Sequence, residues 1–364
     1  MSILRFTAAA CTAFMALSLA AQSSITFQKP PQAILDVFDV DLPPSPMIDA
    51  QSRTLALLTR PAYLSLADLA QPELRLAGLR LNPVTHNASR TRPFTAFSLQ
   101  DLTTGRSVPL QGLPANLRFE YPSFSPTGAH FAFVEVQEKG LALWVAEVAT
   151  GQARRLTEPR LSATLGRPYA WASDGQSLLV WMRPTLETYP EAQPLPVGPA
   201  VQEALGVKAP ARTYQDLLRS PADEAKFAFY VTTTIHRVDL QGRATPLLPP
   251  AIYRSVQPSP DGAYLLVSEI RKPFSYQFPL ERFPSVVRVV DGQGQPVATL
   301  HERPLQDRIP VDFDACEEGP RHFAWRQDRP ATLTWLEAQD GGVPAKAVAM
   351  RDALYQLDPP FRGQ

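Results

Sequence analysis

The chain repeats itself, and the period of the repeat limits the folds open to it. The stretch Tyr121–Val136 (YPSFSPTGAHFAFVEV) returns in worn form as Tyr169–Met182 (YAWASDGQSLLVWM), Val256–Ile270 (VQPSPDGAYLLVSEI) and Phe323–Ala338 (FAWRQDRPATLTWLEA). Each copy reads as a short apolar strand, a turn rich in Ser, Asp and Gly, and a second strand of alternating apolar residues. A second motif interleaves with the first. Phe97–Leu110, Leu143–Thr157, Ile235–Leu248 and Val287–Leu300 each place a Gly-bearing tight turn between two strand-like runs, the signature of a hairpin. Joined, the two motifs give four strands per unit, the content of a propeller blade. Gly128 and Gly175 lie 47 residues apart, and Gly105 and Gly151 lie 46 apart. Both spacings fit the roughly 40–50 residues of a four-stranded blade.

Composition agrees. Proline contributes 38 of 364 residues, about twice its average share. Because proline is confined to turns, edges and strand ends, such a chain is poor in long helices. The fold expected is therefore an all-β propeller of four-stranded blades over residues 47–364, with short helices in its insertions. Met47–Pro61, with Gln51-Ser52 at the turn, is a worn first copy, and counting from it gives about five units. The last is cut short: Arg351–Phe361 begins a further hairpin whose partner strand does not arrive, so the array is expected to be incomplete. Ser65 and Asp68 have capping-box spacing, predicting a short helix over Leu66–Ala70. Leu74, Leu76, Leu79 and Leu81 then resume as strand, and Tyr214–Phe229 carries helical segments around Pro221. Residues 183–213 form a Pro-rich insertion, read as an excursion from the propeller rim.

The amino-terminal residues predict export. Arg5 precedes an apolar, Ala-rich run, Phe6–Leu19, and small residues at Ser18–Ala21 offer a cleavage site. Residues 1–21 thus read as a signal peptide of a secreted or periplasmic protein, and residues 22–46 as a lead-in in which Ile34, Leu35, Val37 and Phe38 form one or two helical turns that dock on the body. After cleavage only Cys316 remains, which allows no internal disulfide. With 35 basic and 35 acidic residues and a formal net charge of +0, nothing favours nucleic acid or an anionic membrane as partner. No cofactor or metal site is expected, since the Asp-Gly turns lack the acidic ladder of a calcium loop. Trp144, Trp171, Trp181, Trp325 and Trp335 fall on repeat strands and are read as packing residues.

The turns Ser259-Pro260-Asp261-Gly262 and Ser125-Pro126-Thr127-Gly128 resemble the propeller repeat of periplasmic TolB-like proteins and of prolyl oligopeptidases. Pro30–Val40, Leu69–Pro83, Gly206–Leu218, Lys272–Phe283, Phe313–Trp325 and Leu333–Phe361 together resemble the amino-terminal propeller of secreted prolyl-oligopeptidase-family serine peptidases of the glutamyl endopeptidase type. In that family, a propeller precedes an α/β-hydrolase domain bearing a Ser nucleophile on a G-x-S-x-G elbow, then Asp and His. No G-x-S-x-G occurs in this sequence, and His86, His130, His236, His301 and His322 are scattered. No catalytic residue is assigned and the hydrolase domain is expected to be absent from this chain. The resemblance implies a gate and part of a peptide-binding wall, acting on peptide substrates through that missing domain, with Arg271 and Arg282 as candidates to contact a substrate carboxylate. A free-standing TolB-like module that binds a protein partner is the alternative. An unclosed propeller also implies self-association through its open edge.

Overall fold

The computed structural model describes residues 29–38, 40–185 and 213–362. Residues 1–21, which the sequence predicts to be a signal peptide, and most of the Pro-rich insertion lie outside the described residues. The chain divides into two units, Met1–Asp41 and Leu42–Gln364. In the first, a helix forms over Gln32–Phe38 (α1), where the lead-in predicts one.

The second unit is built almost wholly of antiparallel strands. β1 (Ser45–Ile48) and β2 (Thr54–Thr59) open the first sheet. The chain then leaves it for one turn of helix, α2 (Leu66–Leu69), and a side sheet of β3 (Leu74–Leu76), β4 (Leu79–Asn82) and β5 (Asn87–Ala88). The capping box at α2 forms as its spacing predicts, with the Asp68 N–H donating to the Ser65 hydroxyl at 3.1 Å and the Ser65 N–H donating to the Asp68 carboxylate at 3.2 Å. β6 (Ala96–Asp101) and β7 (Ser107–Val108) return to complete the order β1-β2-β6-β7. The second sheet is a meander of β8 (Phe119–Phe124), β9 (His130–Gln137), β10 (Gly140–Glu147) and β11 (Ala153–Arg155).

β12 (Tyr169–Trp171) and β13 (Ser177–Met182) start the third. Helix α3 (Pro221–Val231) follows, with Pro221 in its first turn and Ser220 as its cap. β14 (Thr233–Asp239) then pairs with the first half of β15 (Ala244–Pro258). The second half of β15 leads the fourth sheet, with β16 (Tyr264–Ile270), β17 (Ser285–Asp291) and β18 (Pro296–Arg303). The fifth holds β19 (Pro320–Trp325), β20 (Leu333–Ala338) and β21 (Asp352–Leu357). The two repeated motifs thus supply the inner and outer strand pairs of the first four blade sheets, and in the fifth Arg351–Phe361 supplies a third strand whose outer edge is unpaired among the described residues.

One departure from the repeat stands out. The third and fourth units share β15, so their strands form one seven-stranded sheet. Ala244–Ala251 bonds to β14, and Ile252–Pro258 bonds to β16. Pro249 and Pro250 sit where the strand exchanges partners, and lacking an N–H they leave no ladder donor unsatisfied there.

Strand alternation explains how the sheets stack. On β9, Phe131 and Phe133 enter a cluster with Leu58, Phe97, Leu99 and Phe119 of the first and second sheets. Ala132 and Val134, pointing the other way, enter a cluster with Tyr169, Leu178 and Val180 of the third. Further clusters join β13 to β16 and β16 to β20 in the same manner. A sheet buried on both faces by its neighbours is the construction of a propeller blade. Among the described residues no such cluster joins the first sheet to the fifth.

The turns also link one sheet to the next. Gln51 donates to the Pro126 carbonyl at 2.8 Å and Arg53 to the Thr127 carbonyl at 2.9 Å. Ser173 donates to the Ser259 carbonyl at 2.5 Å, and the Asp261 N–H to the Pro330 carbonyl at 3.1 Å. Gly128 sits at φ +73° within this chain of contacts, and a Cβ there would fall 2.5 Å from Asp49 Oδ2. Gly105 has a similar φ of +70° but open space around it. Gly105→Ala is therefore expected to cost about 1 kcal/mol, from backbone conformation alone. Gly128→Ala should cost distinctly more, about 2–3 kcal/mol, since it adds a clash to the same strain. Urea midpoints of the two variants check this, and equal losses would refute the turn-to-turn packing.

Candidate functional site

Each sheet begins with a leading strand, and successive leading strands lie side by side. Trp171 Nε1 on β12 donates to Ser123 Oγ on β8 at 3.2 Å, and Trp325 Nε1 on β19 donates to the Gln257 carbonyl on β15 at 3.0 Å. Three of these strands carry an irregularity, between Glu120 and Ser123 on β8, between Tyr253 and Ser255 in the half of β15 that pairs with β16, and between Arg321 and Ala324 on β19. A bulge of this kind frees a residue from the ladder and re-aims its side chain. Tyr121, Arg254 and His322 are the residues so placed, and Tyr121 and His322 have φ of 55° and 56°.

Their surroundings differ. Tyr121 is held inside a polar cluster: its hydroxyl donates to Asn87 Oδ1 at 2.9 Å, while Asn87 donates to the Glu120 carboxylate at 3.0 Å. Burial pushes both the Tyr121 hydroxyl and the Glu120 carboxyl up from their ordinary values. Arg167, just ahead of β12, spends its guanidinium on the carbonyls of Tyr121 and Pro122 at 3.2 and 3.3 Å and on the Tyr169 hydroxyl at 3.1 Å. These groups fasten the second sheet to the third. Arg254 is different. Its exposed side chain has no hydrogen-bond or ion-pair partner among the described residues. Desolvation by the surrounding protein, then the charge of Arg303, lowers its pKa, opposed by Glu281 and Glu317.

Arg254 lines a cleft of about 390 Å³ between the fourth and fifth sheets. Ser255, Ser268 and His301 line one side, and Arg321 and His322 the other. Arg303, also in the wall, is neutralised by Glu317 at 2.9 Å. Arg321 is paired with Asp352. Burial lowers the His301 pKa.

The arginines singled out by sequence lie nearby but are engaged. Arg271 pairs with Glu269 at 3.1 Å, a buried carboxylate that also holds Arg288 at 3.0 Å. Arg282 ends a short 3₁₀ turn (Leu280–Arg282) and donates to the Gln306 carbonyl at 3.2 Å. Sequence reasoning passed over Arg254, although a signal existed. It lies eight residues before the turn glycine Gly262, as Arg167 does before Gly175 and Glu120 before Gly128. The repeat therefore places a charged residue eight positions before the turn glycine in three successive copies, and of the three only Arg254 falls where the pairing skips a residue.

No histidine ring is hydrogen-bonded to a Ser hydroxyl or the Cys316 thiol among the described residues; His236 Nε2 meets Thr234 Oγ1 at 3.1 Å. Nor does any group of three or more His, Cys, Asp or Glu side chains among them take a metal-holding arrangement. His86, after β4, is packed against Tyr230 with ring centroids 5.0 Å apart. Burial, and secondarily the charge of Arg183, pushes its pKa down to about 4. The unfolded chain binds a proton near pH 6.5 that the folded one refuses, so stability is full above that value and is lost as pH falls toward 4. We expect His86→Asn, which tolerates the same φ of 56°, to flatten the decline in urea midpoint between those pH values. An unchanged decline would show that another group carries it.

No family model matches the chain. It is 35% identical over 347 residues to a rice (Oryza sativa subsp. japonica) protein named probable glutamyl endopeptidase, chloroplastic, covering 90% of this chain and 36% of that protein. The Arabidopsis thaliana protein of the same name is 33% identical over 354 residues, covering 93% of this chain and 36% of that one. The solved acylaminoacyl peptidase of Pyrococcus horikoshii overlays with a TM-score of 0.42 at 13% identity, over 88% of this chain and 45% of that one. The chain spans about a third of the length of the plant proteins it matches. The resemblance carried by its repeats and longer segments thus holds: these stacked sheets are homologous to a part of peptidases of the glutamyl endopeptidase type.

Proposed function

We propose that this chain forms the substrate-access and peptide-binding part of an exported serine peptidase of the glutamyl endopeptidase type. One observation carries the reading: identity of 35% sustained over 90% of the chain, against a peptidase of which it spans 36%. In this reading the blades wall off the approach to the reacting centre and admit short or unfolded peptides. Acyl transfer, with its nucleophile, base and oxyanion donors, belongs to the part of the relatives' length that this sequence does not span. Arg271 and Arg282 would flank the substrate path, and residues 1–21 would direct export and be removed.

Two outcomes follow. The purified chain should not hydrolyse a chromogenic glutamyl peptide, and turnover blocked by an active-site phosphonate would overturn the assignment of chemistry elsewhere. The outer edge of β21, unpaired among the described residues and with Leu354 70% exposed, should drive self-association. Light scattering should give a mass that rises with micromolar concentration, whereas a constant monomer mass would rule out the open edge as a sticky surface.

A further inference from the structure

We propose that the cleft between the fourth and fifth sheets binds a single carboxylate of a peptide ligand, and that Arg254 is the residue that reads it. The choice of a peptide as ligand rests on the function proposed above. The choice of a carboxylate rests on the charges in the cleft. Arg303 and Arg321 each face a carboxylate of the protein, Glu317 and Asp352. Arg254 alone in that wall has no counter-charge at bonding distance among the described residues. A guanidinium offers two parallel N–H donors in a planar fork that matches a carboxylate. Around it the hydroxyls of Ser255 and Ser268 supply neutral donors without adding charge. The cleft therefore has one guanidinium with no carboxylate at bonding distance, Glu281 and Glu317 acting on it only from farther off, and it is suited to a monoanion and not to a phosphate dianion.

Position argues the same way. Arg254 is the residue that the irregularity of β15 frees from the ladder between Tyr253 and Ser255, so its side chain is not fixed by sheet pairing. The cleft volume, about 390 Å³, exceeds what one side chain fills and accommodates the residue that carries it as well. Arg271 and Arg282 are less suited to the task. The first would have to abandon Glu269, and the second its contact with the Gln306 carbonyl.

The test uses calorimetry on the full chain with three probes: a short glutamyl peptide blocked at both ends, its glutaminyl counterpart, and glutarate. The wild-type protein should bind the glutamyl peptide about tenfold or more tighter than the glutaminyl one. Arg254→Gln should erase that preference while leaving glutaminyl affinity unchanged, and Arg243→Gln, at an exposed turn arginine outside the cleft, should keep it. Circular dichroism confirms that the variants fold. Equal affinities in the wild type, or a preference that survives Arg254→Gln, would overturn the carboxylate site and leave the peptide reading standing. Glutarate binding that weakens tenfold in Arg254→Gln, with neither peptide bound, would uphold the site and defeat the peptide reading. Binding of none of the three would defeat both.

Discussion

Burial of both faces of every central sheet is the constraint on which this structure depends. A four-stranded antiparallel sheet with one apolar face needs one neighbour; here the strands are apolar on both, as the alternation of Phe131 and Phe133 against Ala132 and Val134 shows. No blade can then be stable alone, because each exposes a core-sized surface until the next one covers it. A fully buried phenylalanine contributes about 1.5–3 kcal/mol, and four of them, Phe97, Phe119, Phe131 and Phe133, meet between the first two sheets. The turns repeat the logic in polar form. Ser125 and Ser259 are buried, and each hydroxyl accepts the N–H five residues on, at 3.1 and 3.0 Å. That bond fixes the turn, and the fixed turn presents its carbonyls to the neighbouring sheet.

This explains which parts of the fold were legible in the sequence. The repeat was, because sheet stacking imposes period-two alternation and turn chemistry on every copy. The Ser65–Asp68 capping box was, because both of its bonds are local. The sharing of β15 was not. Pro249-Pro250 reads as the end of one strand and the start of another, and only the register shows a single extended segment pairing with β14 on one side and β16 on the other. The side sheet was half legible. Leu74, Leu76, Leu79 and Leu81 announce strands, but nothing local says that Leu76 packs with Phe227, Phe283 and Ile252, far along the chain, instead of joining a blade.

The site divides along the same line. Residue type identifies arginines as candidate carboxylate readers, and on type alone Arg271, Arg282 and Arg254 are equal. What separates them is pairing, which depends on tertiary neighbours. Glu269 sits two residues from Arg271 on the same stretch of chain, so that pairing was at least readable as a possibility. The partners of Arg303 and Arg321 lie 14 and 31 residues away, across turns whose geometry no spacing fixes.

Arg254 gains its role from a lapse in the regularity that builds the rest. Where the ladder is unbroken, a leading-strand side chain is committed to one face of a packed sheet. In the second half of β15 the pairing skips Arg254, and a charged residue stands eight positions before the turn glycine in three copies of the repeat. In the second and third sheets the charge is absorbed: Glu120 by Asn87, Arg167 by the Tyr121 and Pro122 carbonyls. In the fourth no internal acceptor bonds it among the described residues, and the cost of partly desolvating the guanidinium beside Arg303 is offset only at a distance, by Glu281 and Glu317. A position that the scaffold uses for fastening elsewhere is here left open, and a binding site can arise from one withheld partner without any change of fold.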